Sequence, residues 1–259
     1  MTMERDETIF TPLREGRFRF RCHREISCFT KCCAKLRLIL TPYDILRMKN
    51  RLKLASDLFL EEYTDTKMDA HPRFPVVTLK MRDDENRKCP FVTSKGCRIY
   101  EDRPGACRIY PLGRAALKVD REKDTREKFF VVQEGHCRGF QEEKEWSLGE
   151  WMANEGVDAY NAMNDQWLEI ITSRKGLGKE EDIPRKIQMF YMASYNLDKF
   201  RRFLFQSSFF NLFEIEPGRK DQLALDDTAL MKFAFAWLKF SLFGEISADI
   251  RPREHPVRS

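Results

Sequence analysis

Cys22-His23-Arg24-Glu25-Ile26-Ser27-Cys28-Phe29-Thr30-Lys31-Cys32-Cys33 packs four thiols into one short stretch, separated by five residues, then three, then none. So many soft donors in a segment without an apolar period point to a fold built locally around metal rather than around a core of its own. If a helical turn starts at Cys28, Cys28 and Cys32 stand four apart on one face and Cys33 points elsewhere. A vicinal pair such as Cys32-Cys33 is awkward for a single tetrahedral zinc. Several irons, or two ions, accommodate it more easily.

The remaining cysteines lie further along: Cys89, Cys97 and Cys107, then Cys137 alone, with none in the 122 residues that follow. All eight are metal-ligand candidates, although Cys137, standing by itself, has the plainer alternative of a small buried apolar side chain. The second group holds an internal repeat, Cys97-Arg98-Ile99-Tyr100 and Cys107-Arg108-Ile109-Tyr110, flanking the turn Arg103-Pro104-Gly105. Each copy offers a thiol, a neighbouring guanidinium, an apolar anchor and a phenol able to donate to a cluster sulfur. His23 and His136 sit beside Cys22 and Cys137, where they serve as supporting groups, since the neighbour of a ligand usually points away from the metal.

Composition narrows the setting. The chain has 259 residues, enough for one large domain or two modest ones without disulfide staples. Residues 1–20 lack the apolar segment of a secretory signal. The most apolar stretches, 203–215 and 229–243, are interrupted by Gln206, Asn211, Lys232 and Lys239. Neither reaches the run of about 20 residues a membrane helix needs. The expectation is a cytoplasmic protein with no membrane segment, where clustered thiols serve metals or catalysis rather than disulfides. The net charge is +5, and residues 1–60 carry 13 Lys/Arg against 7 Asp/Glu. Without a nucleic-acid module, that basicity is assigned to Arg21, Arg24, Lys31 and Lys35 stabilising thiolates beside them. Nucleic acid is not an expected partner.

The fold class read from the pattern is α+β. A cysteine-rich metal-binding part, 1–145, mixes short strands and helices, and a mainly helical part, 146–259, packs on it. Thr41-Pro42-Tyr43-Asp44 starts a helix, with Thr41 as N-cap and Pro42 in the first turn, which also accounts for Asp44. Ser56 caps a second helix reaching Tyr63. Residues 75–81 form a strand, and 112–119 with 128–133 a hairpin. Ser147-Leu148-Gly149-Glu150 is a capping box opening a helix to about Ser173. Further helices run from Asp182 to about Phe213 and from Asp226 to Gly244, and the tail after Asp249 is loose. Phe200, Phe203, Phe205, Phe209, Phe210 and Phe213 recur at helical spacing and read as core. There is no phosphate-binding glycine loop: Gly176 and Gly178 lack a preceding strand.

Cys28-x-x-x-Cys32-Cys33, the following Leu-Thr-Pro-Tyr-Asp at 40–44, Cys89-Pro90, Gly96-Cys97, Arg103-Pro104 and Cys107-Arg108-x-Tyr110-Pro111 together resemble the CxxCxxCC (YkgJ-type) cysteine-cluster family. That family is described as zinc- or iron-chelating, and the resemblance covers about residues 18–140. The first group departs from the two-residue gaps that name the family. Its looser spacing is similar to the start of the flagellin lysine N-methylases, a related cysteine-cluster family. The resemblance implies metal held by thiolates, as an iron–sulfur cluster or as zinc, in a structural or electron-transfer role. The more distant likeness implies S-adenosylmethionine and lysine methylation of a protein substrate. The partner, whether bound protein or protein substrate, is not legible. The absence of any Cys-x-x-Cys, with seven or eight thiols in irregular loops, favours iron over zinc.

Overall fold

The computed structural model describes residues 9–118 and 125–253. In chain order the elements are β1 (Phe10–Pro12), β2 (Arg17–Arg19), α1 (Pro42–Leu52), α2 (Ser56–Tyr63), β3 (Thr64–Lys67), β4 (Val76–Leu79), β5 (Val92–Thr93) and β6 (Gly96–Cys97). They continue with α3 (Gly105–Ile109), β7 (Leu112–Lys118), β8 (Thr125–Val132), β9 (Glu145–Ser147), α4 (Leu148–Glu155) and α5 (Asp158–Ile171). The last are α6 (Ile183–Tyr195), α7 (Leu197–Gln206), α8 (Phe209–Leu212), β10 (Phe213–Glu214), α9 (Arg219–Leu225), α10 (Asp227–Phe243) and β11 (Arg251–Pro252). Short strands in small sheets beside many helices make this an α+β protein. No helix among the described residues is long and apolar enough to cross a membrane.

Contacts divide the chain into two compact units, residues 1–38 with 79–165 and residues 39–78 with 166–259. The segment 39–78, expected with the cysteine-rich part, therefore clusters with the helices, and residues 146–165 cluster with the cysteines.

The first unit is held by the three-stranded antiparallel sheet β1-β8-β7 and the pair β2-β9, in which Phe18 faces Trp146. The turn of the β7-β8 hairpin, residues 119–124, lies outside the described residues. Phe18, Phe20, Ile109, Leu112, Trp151, Met152 and Val157 form its core. Phe20 is the hub, edge-on to Tyr110, Phe140 and Trp151 with centroids 5.9, 5.3 and 5.8 Å away, geometry that suits the aromatic quadrupole. The Trp151 indole donates to the Ile109 carbonyl at 2.9 Å, tying α4 to the end of α3. The capping box at Ser147 forms as its spacing predicts, with the Glu150 N–H on Ser147 Oγ and the Ser147 N–H on the Glu150 carboxylate. The expected long helix does not run through, however. Gly156 takes a left-handed φ of 59°, the conformation glycine adopts at no steric cost, and ends α4 before α5 begins.

Two arginines are buried beneath these helices. Arg103 pairs with the Glu155 carboxylate, both residues 7% exposed, and its guanidinium lies 3.7 Å from the centre of the Tyr100 ring. Arg108 donates to the carbonyls of Glu155 and Glu101. Replacing Glu155 with alanine strands the Arg103 charge, and the expected cost is about 3–5 kcal/mol in urea unfolding. Pairing Arg103→Met with Glu155→Leu is expected to restore most of that loss, because an apolar pair carries no desolvation penalty.

In the second unit α1 starts as the sequence predicts, with a capping box between Thr41 and Asp44 and Pro42 in its first turn. Ser56, expected to cap α2, is instead its first residue. Its N–H and hydroxyl both donate to Asp198 Oδ2, at 2.7 and 2.9 Å. The predicted helix from Asp182 to Phe213 is broken at Asn196, whose side chain accepts from Lys199 N–H and caps α7. Asp226 caps α10 through two N–H groups, and Gly244 closes it at φ 72°. Part of the tail pairs rather than hanging loose, with Phe213–Glu214 against Arg251–Pro252; residues 254–259 lie outside the described ones. Of the phenylalanine stripe, Phe200 and Phe209 are core, whereas Phe205 is 41% exposed.

A four-charge cluster links the ends of the helices. Lys49, 5% exposed, stands 3.2 Å from Asp198 and 3.8 Å from Asp227, and Arg201 bonds to both carboxylates. Burial alone would raise both aspartates, but Ser56 and Lys49 at Asp198, with Asn50, Arg201 and Lys49 at Asp227, hold them below the ordinary 3.8. Elsewhere, His71 accepts from the N–H groups of Arg73 and Phe74, and desolvation, then Arg73, depresses its pKa below 6.5. A depressed histidine contributes stability that falls as pH drops below its unfolded value, and depressed aspartates contribute stability lost below theirs. From these groups, stability in urea is thus expected to decline in two pH windows, one beginning below pH 6.5 and one below pH 3.8. His71→Asn is expected to remove its share of the decline in the first window alone, read as the urea midpoint against pH.

Candidate metal centre

All eight cysteines fall in the first unit, and all are thiols rather than disulfides. The segment that carries four of them is a chain of tight turns, not the helical turn expected. Phe29 N–H bonds to the Ile26 carbonyl, Lys31 N–H to Cys28, and Cys33 N–H to Thr30. Thr30 sits at a left-handed φ of 66°, uncommon for a β-branched residue, and only 31–33 make a 3₁₀ turn. Cys28 and Cys32 therefore do not share a helix face.

Three contacts fasten this loop to the later cysteines. The Cys89 N–H donates to the Cys33 carbonyl at 2.8 Å. Phe29 packs on Gly96, where a Cβ would meet its ring at 3.3 Å and φ is 108°, so the β5-β6 hairpin approaches closely only with glycine there. The Arg138 N–H reaches Cys28 Sγ at 3.2 Å. Cys137, the isolated cysteine, is thereby drawn in beside the first group. Cys107 lies on α3, partly buried.

Electrostatics sort the thiols into neighbourhoods. Cys22 is pushed up to about 11, by desolvation first and then by Cys32, Cys28 and Cys137. Cys32 is pushed up by its bond with Cys33, by burial, and by the charges of Cys33 and Glu134. Cys137 is raised mainly by burial, then by Cys28 and Cys32, against a lowering from Tyr110. These couplings join five thiols, Cys22, Cys28, Cys32, Cys33 and Cys137. Cys89 and Cys97 form a second neighbourhood, each raised chiefly by burial and eased down by arginines: Arg82 at Cys89, Arg103 and Arg98 at Cys97.

Several supporting roles differ from expectation. Arg21, Arg24, Lys31 and Lys35 are exposed, and Cys22 and Cys32 beside them are raised; the cations that ease a thiol down are Arg82 at Cys89 and Arg98 and Arg103 at Cys97. His23 lies between Glu25 at 2.9 Å and Glu142 at 3.4 Å, and His136 lies 3.6 Å from Glu134, so both face carboxylates. Arg98 lies over the Phe91 ring and Arg108 over the Tyr160 ring. The tyrosines of the repeat also part company. Tyr100 is 53% exposed, while the Tyr110 hydroxyl is closed off from solvent beside Cys137. Glu155, which anchors Arg103, and Glu134, which pairs with His136, had no signal in the spacing of the motifs.

In kind, these residues fit a thiophilic metal. Eight free thiols in one compact unit are the soft donors such a metal takes. In position they are not yet a closed shell: among the described residues no three His, Cys, Asp or Glu side chains are gathered closely enough to hold an ion.

Comparison with curated proteins and with solved structures returns no match. A family model does match, over the stretch from just before the first cysteine to just after the last. Residues 21–138 match the model of the CxxCxxCC family, described as a "putative zinc- or iron-chelating domain".

Proposed function

We propose that this domain holds iron through its cysteine thiolates as an iron–sulfur cluster, in a structural or electron-transfer role. What supports this reading is the gathering of separated cysteines in one compact unit, where the Cys89 amide on the Cys33 carbonyl, Phe29 on Gly96 and the Arg138 amide on Cys28 Sγ draw the later thiols towards the first group, within a stretch that matches a zinc- or iron-chelating family. A single structural zinc takes four ligands, commonly with histidine among them. Here His23 and His136 are engaged with carboxylates, which leaves thiols to serve as the ligands. Clusters of several irons are held by thiolates alone and tolerate adjacent and irregularly spaced ligands. The protein's own contribution is to supply ionisable sulfurs, screen them from solvent, and place N–H and O–H donors against them, such as the Arg138 amide on Cys28.

The test is anaerobic purification of the full chain, with absorption, iron, sulfide and zinc measured on one sample. Iron and sulfide in matching amounts, with a brown colour, are the expected result. Stoichiometric zinc in a colourless protein would replace the cluster with a structural zinc site. A protein without either metal would overturn the reading. Cys28→Ser and Cys32→Ser are expected to lose metal affinity by more than the roughly 10–100-fold that an outer supporting residue commands. Full retention in both would remove them as ligands.

A further inference from the structure

We infer that the exposed cations on the loops around Cys32, Cys33 and Cys89 form a docking surface for an acidic protein, one whose own surface carries clustered carboxylates. The inference goes beyond the metal reading above and does not depend on it.

Two stretches make the surface, residues 29–37 and 82–98. Together they carry eight Lys/Arg against three Asp/Glu, a balance of +5 that equals the net charge of the whole chain. The fold lays them side by side. The Lys35 N–H donates to the Arg87 carbonyl at 2.9 Å and the Cys89 N–H to the Cys33 carbonyl at 2.8 Å, on either side of an antiparallel bridge between Ala34 and Lys88. Phe29 packs on Gly96, which brings the segment of Lys31 to that of Lys95. Lys31, Lys35, Arg37, Arg87, Lys88 and Lys95 are all exposed, and among the described residues none of the six makes an ion pair. The three acids, Asp83, Asp84 and Glu85, share one turn, in which Asp84 accepts from the N–H groups of Arg87 and Lys88. Glu25, Glu134 and Glu142, in the same unit, face His23 and His136 instead.

Holding these cations together is costly. Lys35 and Arg87, joined backbone to backbone, both take left-handed φ values, 56° and 46°, uncommon for residues with a side chain. Like charges set opposite one another in an antiparallel pair destabilise it. Charge kept for solubility alone gains nothing from being gathered where it repels. A carboxylate-rich surface laid against it relieves that repulsion and is steered to it during diffusional encounter.

The residue types favour protein over nucleic acid. Four of the six cations are lysines, hydrated point charges on flexible stems, whereas phosphate is best met by the fork of arginine. Of the arginines here, Arg82 spends its guanidinium on the carbonyls of Pro90 and Val92, at 3.0 and 3.2 Å, and Arg98 lies over the Phe91 ring. The acidic turn at 83–85 would repel a phosphate backbone, but a protein surface of mixed charge can match it.

The test is fluorescence anisotropy of a labelled oligoglutamate peptide with the full-length, reduced protein, at low and at physiological ionic strength. Wild type is compared with a triple variant, Lys31→Gln, Lys88→Gln and Lys95→Gln. A second triple variant, Lys67→Gln, Lys199→Gln and Lys232→Gln, removes the same charge from exposed sites of the other unit. Wild type and the second variant are expected to bind alike, and the first more weakly by roughly 3–100-fold at low ionic strength, the worth of three exposed charge pairs. The difference is expected to narrow at physiological ionic strength, where the Debye length is about 8 Å. Equal weakening in both variants would reduce the effect to net charge and overturn the inference, as would no binding by wild type at low ionic strength. Displacement of the peptide by an equal concentration of single-stranded oligothymidine of the same charge would give the surface to nucleic acid and overturn it too. Metal content, measured on the same samples and expected to be unchanged, keeps failure here distinct from failure of the metal reading.

Discussion

The first unit depends on the edge-to-face packing around Phe20. That ring joins the N-terminal segment leading to Cys22, the end of α3 that follows Cys107, and the turn carrying Cys137 through Phe140. Gly139 lets the ring approach: a Cβ there would sit 2.5 Å from Phe20 and 3.0 Å from the Arg21 carbonyl. Short strands and turns of this kind have little regular hydrogen bonding to fix them, so aromatic burial fixes the segments from which the thiols project. The apolar core and the sulfur neighbourhood are two faces of one arrangement, and Tyr110 belongs to both.

Around the sulfurs the balance of forces is unusual for a protein interior. Burial and the neighbouring thiols both favour the protonated form at Cys137, and Cys22, although exposed at the surface, is raised in the same direction. The nearby cations that do act, Arg82, Arg98 and Arg103, touch only the Cys89 and Cys97 neighbourhood. Arg103 and Arg108 are otherwise absorbed by Glu155, by backbone carbonyls and by aromatic faces. The buried arginines thus serve to brace the scaffold.

What the sequence disclosed followed from the range of the interaction. The capping boxes at Thr41 and Ser147 and the cap at Asp226 were legible because donor and acceptor lie within three residues of one another. The α+β class and the cysteine domain were legible from composition and spacing. The breaks at Gly156 and Asn196 were not, since both residues sit inside apolar patterns that continue on either side. The left-handed Thr30 had no signal at all. The two Cys-Arg-Ile-Tyr copies read identically, yet Tyr100 is at the surface and Tyr110 buried, because environment is decided by residues far away such as Phe20 and Trp151. Long-range pairings, Arg103 with Glu155 and Lys49 with Asp198 and Asp227, have no local signature.

The interleaving of the two units has a consequence for the order of synthesis. On the ribosome Cys22 to Cys33 emerge early, but Tyr110, Cys137 and Trp151 must follow before that neighbourhood has its walls. Meanwhile α1 and α2 emerge with Lys49 and Ser56, whose partner Asp198 lies 142 residues beyond Ser56. The nascent chain therefore carries two unfinished projects at once, reactive thiols without a shelter and a helix pair without its counter-charges. Neither half can be completed by the residues that begin it, so folding of this chain is governed by its later portion.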